Sequence, residues 1–114
     1  MKILLVDDEE ALRNLIKEVL EEDLQAEVIA VANAAEALQE LAATALTAQF
    51  DAVVTDNDMP GMKGSELASK VKQFSPQIRV VLMSGREIDK GSADIFIPKG
   101  SRQTPYQIVE FLKS

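Results

Sequence analysis

With 114 residues, 46% of them apolar, the chain has the size and composition of one folded domain with its own core. It contains neither Cys nor His, which excludes disulfides, thiolate zinc sites, thiol nucleophiles and a phosphohistidine relay on this chain. A net charge of −7 argues against direct contact with nucleic acid, and any metal site must be built from oxygen, which favours Mg²⁺ or Ca²⁺.

Met1 leads into an apolar run at Ile3–Val6, too short for a signal-peptide core, and no stretch approaches a membrane span. A cytoplasmic protein is the expectation, with no membrane partner. The run at Ile3–Val6 and those at Val28–Ala32, Ala52–Thr55, Val80–Met83 and Ile95–Ile97 read as buried strands. Amphipathic stretches lie between them. Leu12, Leu15, Ile16, Val19 and Leu20 make the stripe of a first helix. A second runs from Ala34 to Leu46 through Leu38 and Leu41. A third runs from Ser65 to Phe74 with Leu67 and Val71. A last helix begins at Thr104, with Pro105 at its first position, Gln107 in a capping box, and Ile108, Val109 and Leu112 inside. Alternating strands and helices predict a parallel sheet covered on both faces, with any ligand at the carboxyl ends of the strands.

Those ends are polar. The first strand runs into Asp7-Asp8, the third into Asp56-Asn57-Asp58, the fourth into Ser84-Gly85, and Lys99 follows the fifth. Taken singly, each has a plain reading: Asp8 as a helix N-cap, Asp56 as a turn residue before Pro60-Gly61, Ser84 as loop chemistry, Lys99 as a surface charge. Taken together, the crowded carboxylates repel one another unless some stay protonated or a cation holds them. A hard divalent ion such as Mg²⁺ suits that set, since it binds a few carboxylates and leaves room for phosphate oxygens.

The Asp7-Asp8 pair, the run DNDMPGMKG from Asp56 to Gly64, Ser84-Gly85 and Lys99 together resemble the receiver domains of two-component response regulators, the CheY-like superfamily. The resemblance covers essentially the whole chain. It implies a flavodoxin-like, doubly wound sheet in the order 2-1-3-4-5, and one receiver domain over residues 1–114. It also implies that Asp56 accepts a phosphoryl group from the phosphohistidine of a histidine kinase or phosphotransfer protein. Asp8 would bind Mg²⁺ directly, Asp7 largely through water, and Asp56 and the backbone carbonyl of Asp58 would complete the set. Lys99 would pair with the phosphoryl group and Ser84 would be the hydroxyl that moves toward it. Phe96 stands at the position of the family's switch aromatic, and plain core is its other reading. The output would be altered contact with a downstream protein.

Two features depart from the family pattern. Lys99 is followed by Gly100 where Pro is usual. Ser84 and Lys99 are 15 residues apart, a shortened spacing, and GREIDKGSAD between them has almost no apolar stripe. The fourth helix is therefore expected to be absent or reduced to a turn, with mobile residues from Arg86 to Ser92 that phosphorylation orders. Two other functions remain open from the sequence. Asp56-Asn57-Asp58 resembles the DxD motif of haloacid-dehalogenase-type phosphatases, although Pro60 fills the place where Thr or Val is usual. A receiver that has lost switching and serves as a docking module is the other.

Overall fold

The computed structural model describes residues 1–44 and 49–114. Its elements alternate: β1 (Lys2–Val6), α1 (Glu10–Leu24), β2 (Glu27–Val31), α2 (Ala34–Ala43), β3 (Ala52–Asp56), α3 (Gly64–Phe74), β4 (Arg79–Ser84), β5 (Ile95–Pro98) and α4 (Thr104–Lys113). The five strands form one parallel sheet in the order β2-β1-β3-β4-β5, as expected.

The strands read as continuous apolar runs because both faces are covered. Ile3, Leu5, Val54, Val81 and Met83 point to one face, where α1 (Ile16, Leu20) packs beside α4 (Ile108, Val109, Leu112). Leu4, Val6, Val53, Val80 and Leu82 alternate onto the other face, under α2 (Ala37, Leu41) and α3 (Leu67, Val71).

Between β4 and β5 no helix forms, in line with the weak pattern of that segment. The connection is nevertheless anchored. Ala93 is buried in the core of the α2–α3 face, and Ile88 packs against the same core. Asp94 accepts the Val80 amide at 2.7 Å and pairs with Lys72 Nζ at 2.7 Å. Lys72 Nζ also donates to the carbonyls of Pro76 and Ile78. One lysine thus ties the end of α3 to the turn before β4 and to the last residue of the connection.

Several local expectations need correction. Leu15 lies on the flank of its helix, rotated away from Ile16 toward solvent, and is half exposed. Phe74 ends α3 and is left exposed at the mouth of an apolar groove that it shares with Leu38 and Leu41. α2 ends at Ala43 with Thr44 as its cap, and the predicted continuation to Leu46 lies outside the described residues. The Gln107 capping box does not form, because Gln103 is the N-cap residue and its side chain caps nothing. Thr104 instead donates its hydroxyl to the Pro98 carbonyl at 2.7 Å, which fastens α4 to the end of β5.

Candidate functional site

Register assembles the site. Val6 lies opposite Thr55, so Asp7 and Asp56, each the next residue along its strand, become neighbours. Asp56 lies opposite Met83 and Ser84 opposite Pro98, which brings Ser84 and Lys99 to the same edge. The Lys99 amide then donates to the Ser84 carbonyl at 2.8 Å. Parallel strands that end together place residues distant in sequence side by side at one carboxyl edge.

Lys99 is the hub. Its Nζ lies 3.0 Å from Asp56 Oδ2, 3.2 Å from each oxygen of Asp7 and 3.7 Å from Glu9 Oε1. Asp7 and Asp56 are buried, whereas Asp8 is exposed. The plain reading of Asp8 as the N-cap of the first helix does not hold. Glu9 is the N-cap residue of α1, its side chain makes no capping bond, and its amide donates to Asp7 Oδ1 at 2.9 Å. Asp8 therefore borders the open cleft beside Asp56, Asp58 and Lys99, a space of about 510 Å³.

Burial pushes the Asp7 carboxyl above its ordinary pKa, against the pull of the Glu9 amide and the Lys99 ammonium. Burial does the same to Asp56, again opposed by Lys99. For Lys99, desolvation works toward the neutral amine, but the Asp56 and Asp7 carboxylates outweigh it and hold its pKa above the ordinary value. Lys99 is thus a fixed ammonium.

Asp7, Asp8 and Asp56 each offer an oxygen within 4.8 Å of the other two. Asp7 Oδ2 is buried and makes no hydrogen bond among the described residues; its contact with Lys99 is an ion pair without hydrogen-bond alignment. A buried carboxylate oxygen left in that state, in an all-oxygen set that includes an exposed carboxylate, suits a hard divalent cation. The triad can hold a metal ion.

The run after Asp56 is shaped by its backbone. The Asp58 amide donates to Asp56 Oδ1 at 3.3 Å. Asn57 orients the loop from within, with its Oδ1 accepting the Ser65 amide at 2.9 Å and its carbonyl accepting the Gly64 amide at 3.2 Å. Gly100 takes φ of 93°, a conformation closed to proline, so the turn after Lys99 is built differently from a Lys-Pro turn. Phe96 is half-buried on β5 and lines a cavity of about 230 Å³ with Ser84, Gly85, Arg86 and Pro98.

Three residues that the sequence did not single out join the site. Arg13 donates to the Asp7 carbonyl at 2.8 Å and steadies the β1–α1 turn. Glu9 is the outer partner of Lys99. Arg86 pairs with Asp58 at 3.1 Å. Ser84 donates its hydroxyl to the Asp58 side chain at 2.7 Å, and that bond, more than any other contact, holds the Asp58 carboxyl below the ordinary range. The DNDMPGMKG run contains Gly64, but only its approach to Asp56 explains the glycine. None of these roles has a local sequence signature, since each depends on a partner from another element.

Comparison with known proteins agrees with this geometry. The family model of the response regulator receiver domain matches residues 3–99. The uncharacterized transcriptional regulatory protein YesN of Bacillus subtilis is 38% identical over 86 residues, which are 74% of this chain and 22% of that protein. The chain therefore spans less than a quarter of that relative. The chemotaxis protein CheY of Halobacterium salinarum is 30% identical over 105 residues, covering 86% of this chain and 83% of that one. Among solved structures, the response regulator TrrA of Thermotoga maritima, in complex with Mg(2+)-BeF, superimposes with a TM-score of 0.84 at 27% identity, over 98% of this chain and 96% of that one. No helix among the described residues is long and apolar enough to cross a membrane. With its sheet order, its acidic triad and a family match over most of its length, the chain belongs to the response regulator receiver domains, the phosphoacceptor modules of two-component signalling.

Proposed function

We propose that Asp56 is the phosphoacceptor of this receiver domain. The donor is the phosphohistidine of a histidine kinase or phosphotransfer protein, and the setting is the cytoplasm. The observation that carries the reading is the environment of Asp56. It is a buried strand-end carboxylate with the Lys99 ammonium 3.0 Å from one oxygen and two further carboxylates within metal-sharing distance. The rest of the chain, if it is part of a longer protein as in YesN, would read out the switch.

In the transfer, an Asp56 oxygen attacks phosphorus, the phosphorus–nitrogen bond of the donor breaks, and its electron pair leaves with the imidazole. The product is an acyl phosphate. Lys99 is held in place by Asp7 and Glu9, so it can stabilise the negative charge on the phosphoryl oxygens without first being reorganised. The residues that would hold Mg²⁺ are Asp7, Asp8, Asp56 and the carbonyl of Asp58. When bound, the ion supplies counter-charge to these carboxylates and to the phosphoryl oxygens. Ser84 would follow by donating its hydroxyl to the phosphoryl group, and Phe96, beside the Ser84 cavity, would adjust to the moved loop.

Intact-mass analysis after incubation with acetyl phosphate and Mg²⁺ tests the reading. The expected result is a gain of one phosphoryl group, abolished in Asp56→Asn. A chain that stays unmodified while remaining folded would instead be a docking module without a switch. Turnover of a phosphate ester would point to the haloacid-dehalogenase-like alternative.

A further inference from the structure

The side chain of Asp58 has no part in the chemistry above, yet it is the most heavily engaged carboxylate on the outer side of the site. Ser84 Oγ donates to Asp58 Oδ2 at 2.7 Å, and Arg86 Nη2 lies 3.1 Å from Asp58 Oδ1. The Arg86 backbone amide donates in turn to Ser84 Oγ at 3.2 Å. The three residues close a ring between the loop after β3 and the connection after β4. A hydroxyl has one proton, and in this ring that proton is committed to Asp58. Ser84 therefore has none to give to a group on Asp56.

We propose that Asp58 and Arg86 are positioning residues that latch the Ser84 hydroxyl in the resting state, and that a phosphoryl group on Asp56 opens the latch by drawing the Ser84 proton away from Asp58. This rests on the reading of Asp56 as phosphoacceptor. Ser84 is buried, with 1% exposure, so water does not readily replace Asp58 as the acceptor of its proton, and the hydroxyl exchanges one anionic acceptor for another. A phosphoryl group brings close to two negative charges, which also repel the Asp58 carboxylate. The parts that must move are free to do so. The Arg86 side chain is 66% exposed, and Gly85, between the two latch residues of this segment, has open space around its α-carbon.

The test is a double-mutant cycle on the affinity for beryllium fluoride, measured by titration calorimetry at saturating Mg²⁺ in wild type, Asp58→Ala, Ser84→Ala and the double variant. Asp58→Ala should bind about tenfold more tightly than wild type, the scale of one charge-assisted hydrogen bond that no longer has to be broken. In the Ser84→Ala background the same change should give little gain. An equal gain in both backgrounds would mean that only the charge of Asp58 matters, and no gain at all would mean that the contact holds nothing back; either result overturns the latch. A second measurement needs no ligand. Amide exchange at Arg86 should be slow in the resting wild type and faster in both single variants, and exchange that does not respond overturns the latch alone. A folded wild type that binds no beryllium fluoride overturns the phosphoacceptor reading, and the opening step with it.

Discussion

Gly64 packs its α-carbon against the backbone of Asp56. A β-carbon there would lie 2.8 Å from the Asp56 carbonyl carbon and 2.9 Å from Asn57 Cα, both of them backbone atoms that cannot rotate away. The first turn of α3 can therefore approach the end of β3 only with glycine, and the loop carrying Asn57 and Asp58 takes its shape from that approach. Gly64→Ala should cost about 1–3 kcal/mol in denaturant unfolding, the usual scale of overpacking. It should also slow phosphorylation by acetyl phosphate. Gly61→Ala meets open space but must adopt φ of 81°, so it should cost only about 1 kcal/mol from conformation. Equal losses at the two positions would contradict the packing argument.

Asp7 and Asp56 bind their protons more tightly in the folded chain than in the unfolded one, because burial outweighs Lys99. From the ordinary value of 3.8 up to their raised folded values, the folded state holds more protons than the unfolded state. Stability should therefore fall as pH rises through that window. Thermal melts without divalent ions should show this decline, Mg²⁺ should reverse it at neutral pH, and Asp56→Asn should flatten it. A melting temperature that climbs steadily through the window would show that the site is not strained by its carboxylates.

Lys99→Gln removes the only ammonium in contact with the two buried carboxylates among the described residues. Both carboxyls should shift further upward, and the pH-dependent loss of stability should steepen. Phosphorylation of Asp56 should slow by about a hundredfold, the scale on which a positioned charge stabilises a transition state. A rate within twofold of wild type would remove Lys99 from the transfer.

The β4–β5 connection is held by Asp94 in place of a helix. Burial alone would raise the Asp94 carboxyl, but Lys72 and the Val80 amide outweigh it and lower its pKa. Its contribution is thus present above the ordinary value and lost as pH falls through the lowered one. Asp94→Ala should cost about 1–2 kcal/mol, one charge-assisted bond reduced for partial exposure. In hydrogen exchange the loss should release Ala93 and Asp94 first, since their amides donate to the carbonyls of Lys90 and Val80. Residues 87–90 should exchange readily in both proteins.

The sequence by itself determined the alternation of strands and helices, the buried runs and the polar strand ends. Hydrophobic periodicity is local, and strand ends at Asp7, Asp56 and Ser84 can be read wherever apolar runs stop. It also determined that no helix forms from Gly85 to Asp94, because that segment has no apolar stripe for packing to stabilise. Only the tertiary structure decided which polar groups meet. Arg86 and Asp58 lie 28 positions apart, and Lys99 and Asp7 lie 92 apart. The exposure of Leu15 and Phe74 was likewise hidden, since a stripe marks a helix face but not what covers it. The anchoring of the β4–β5 connection by Lys72 and Asp94 belongs to the same class. Such contacts depend on register across the parallel sheet and on side-chain reach between elements, and neither leaves a periodic trace in the chain.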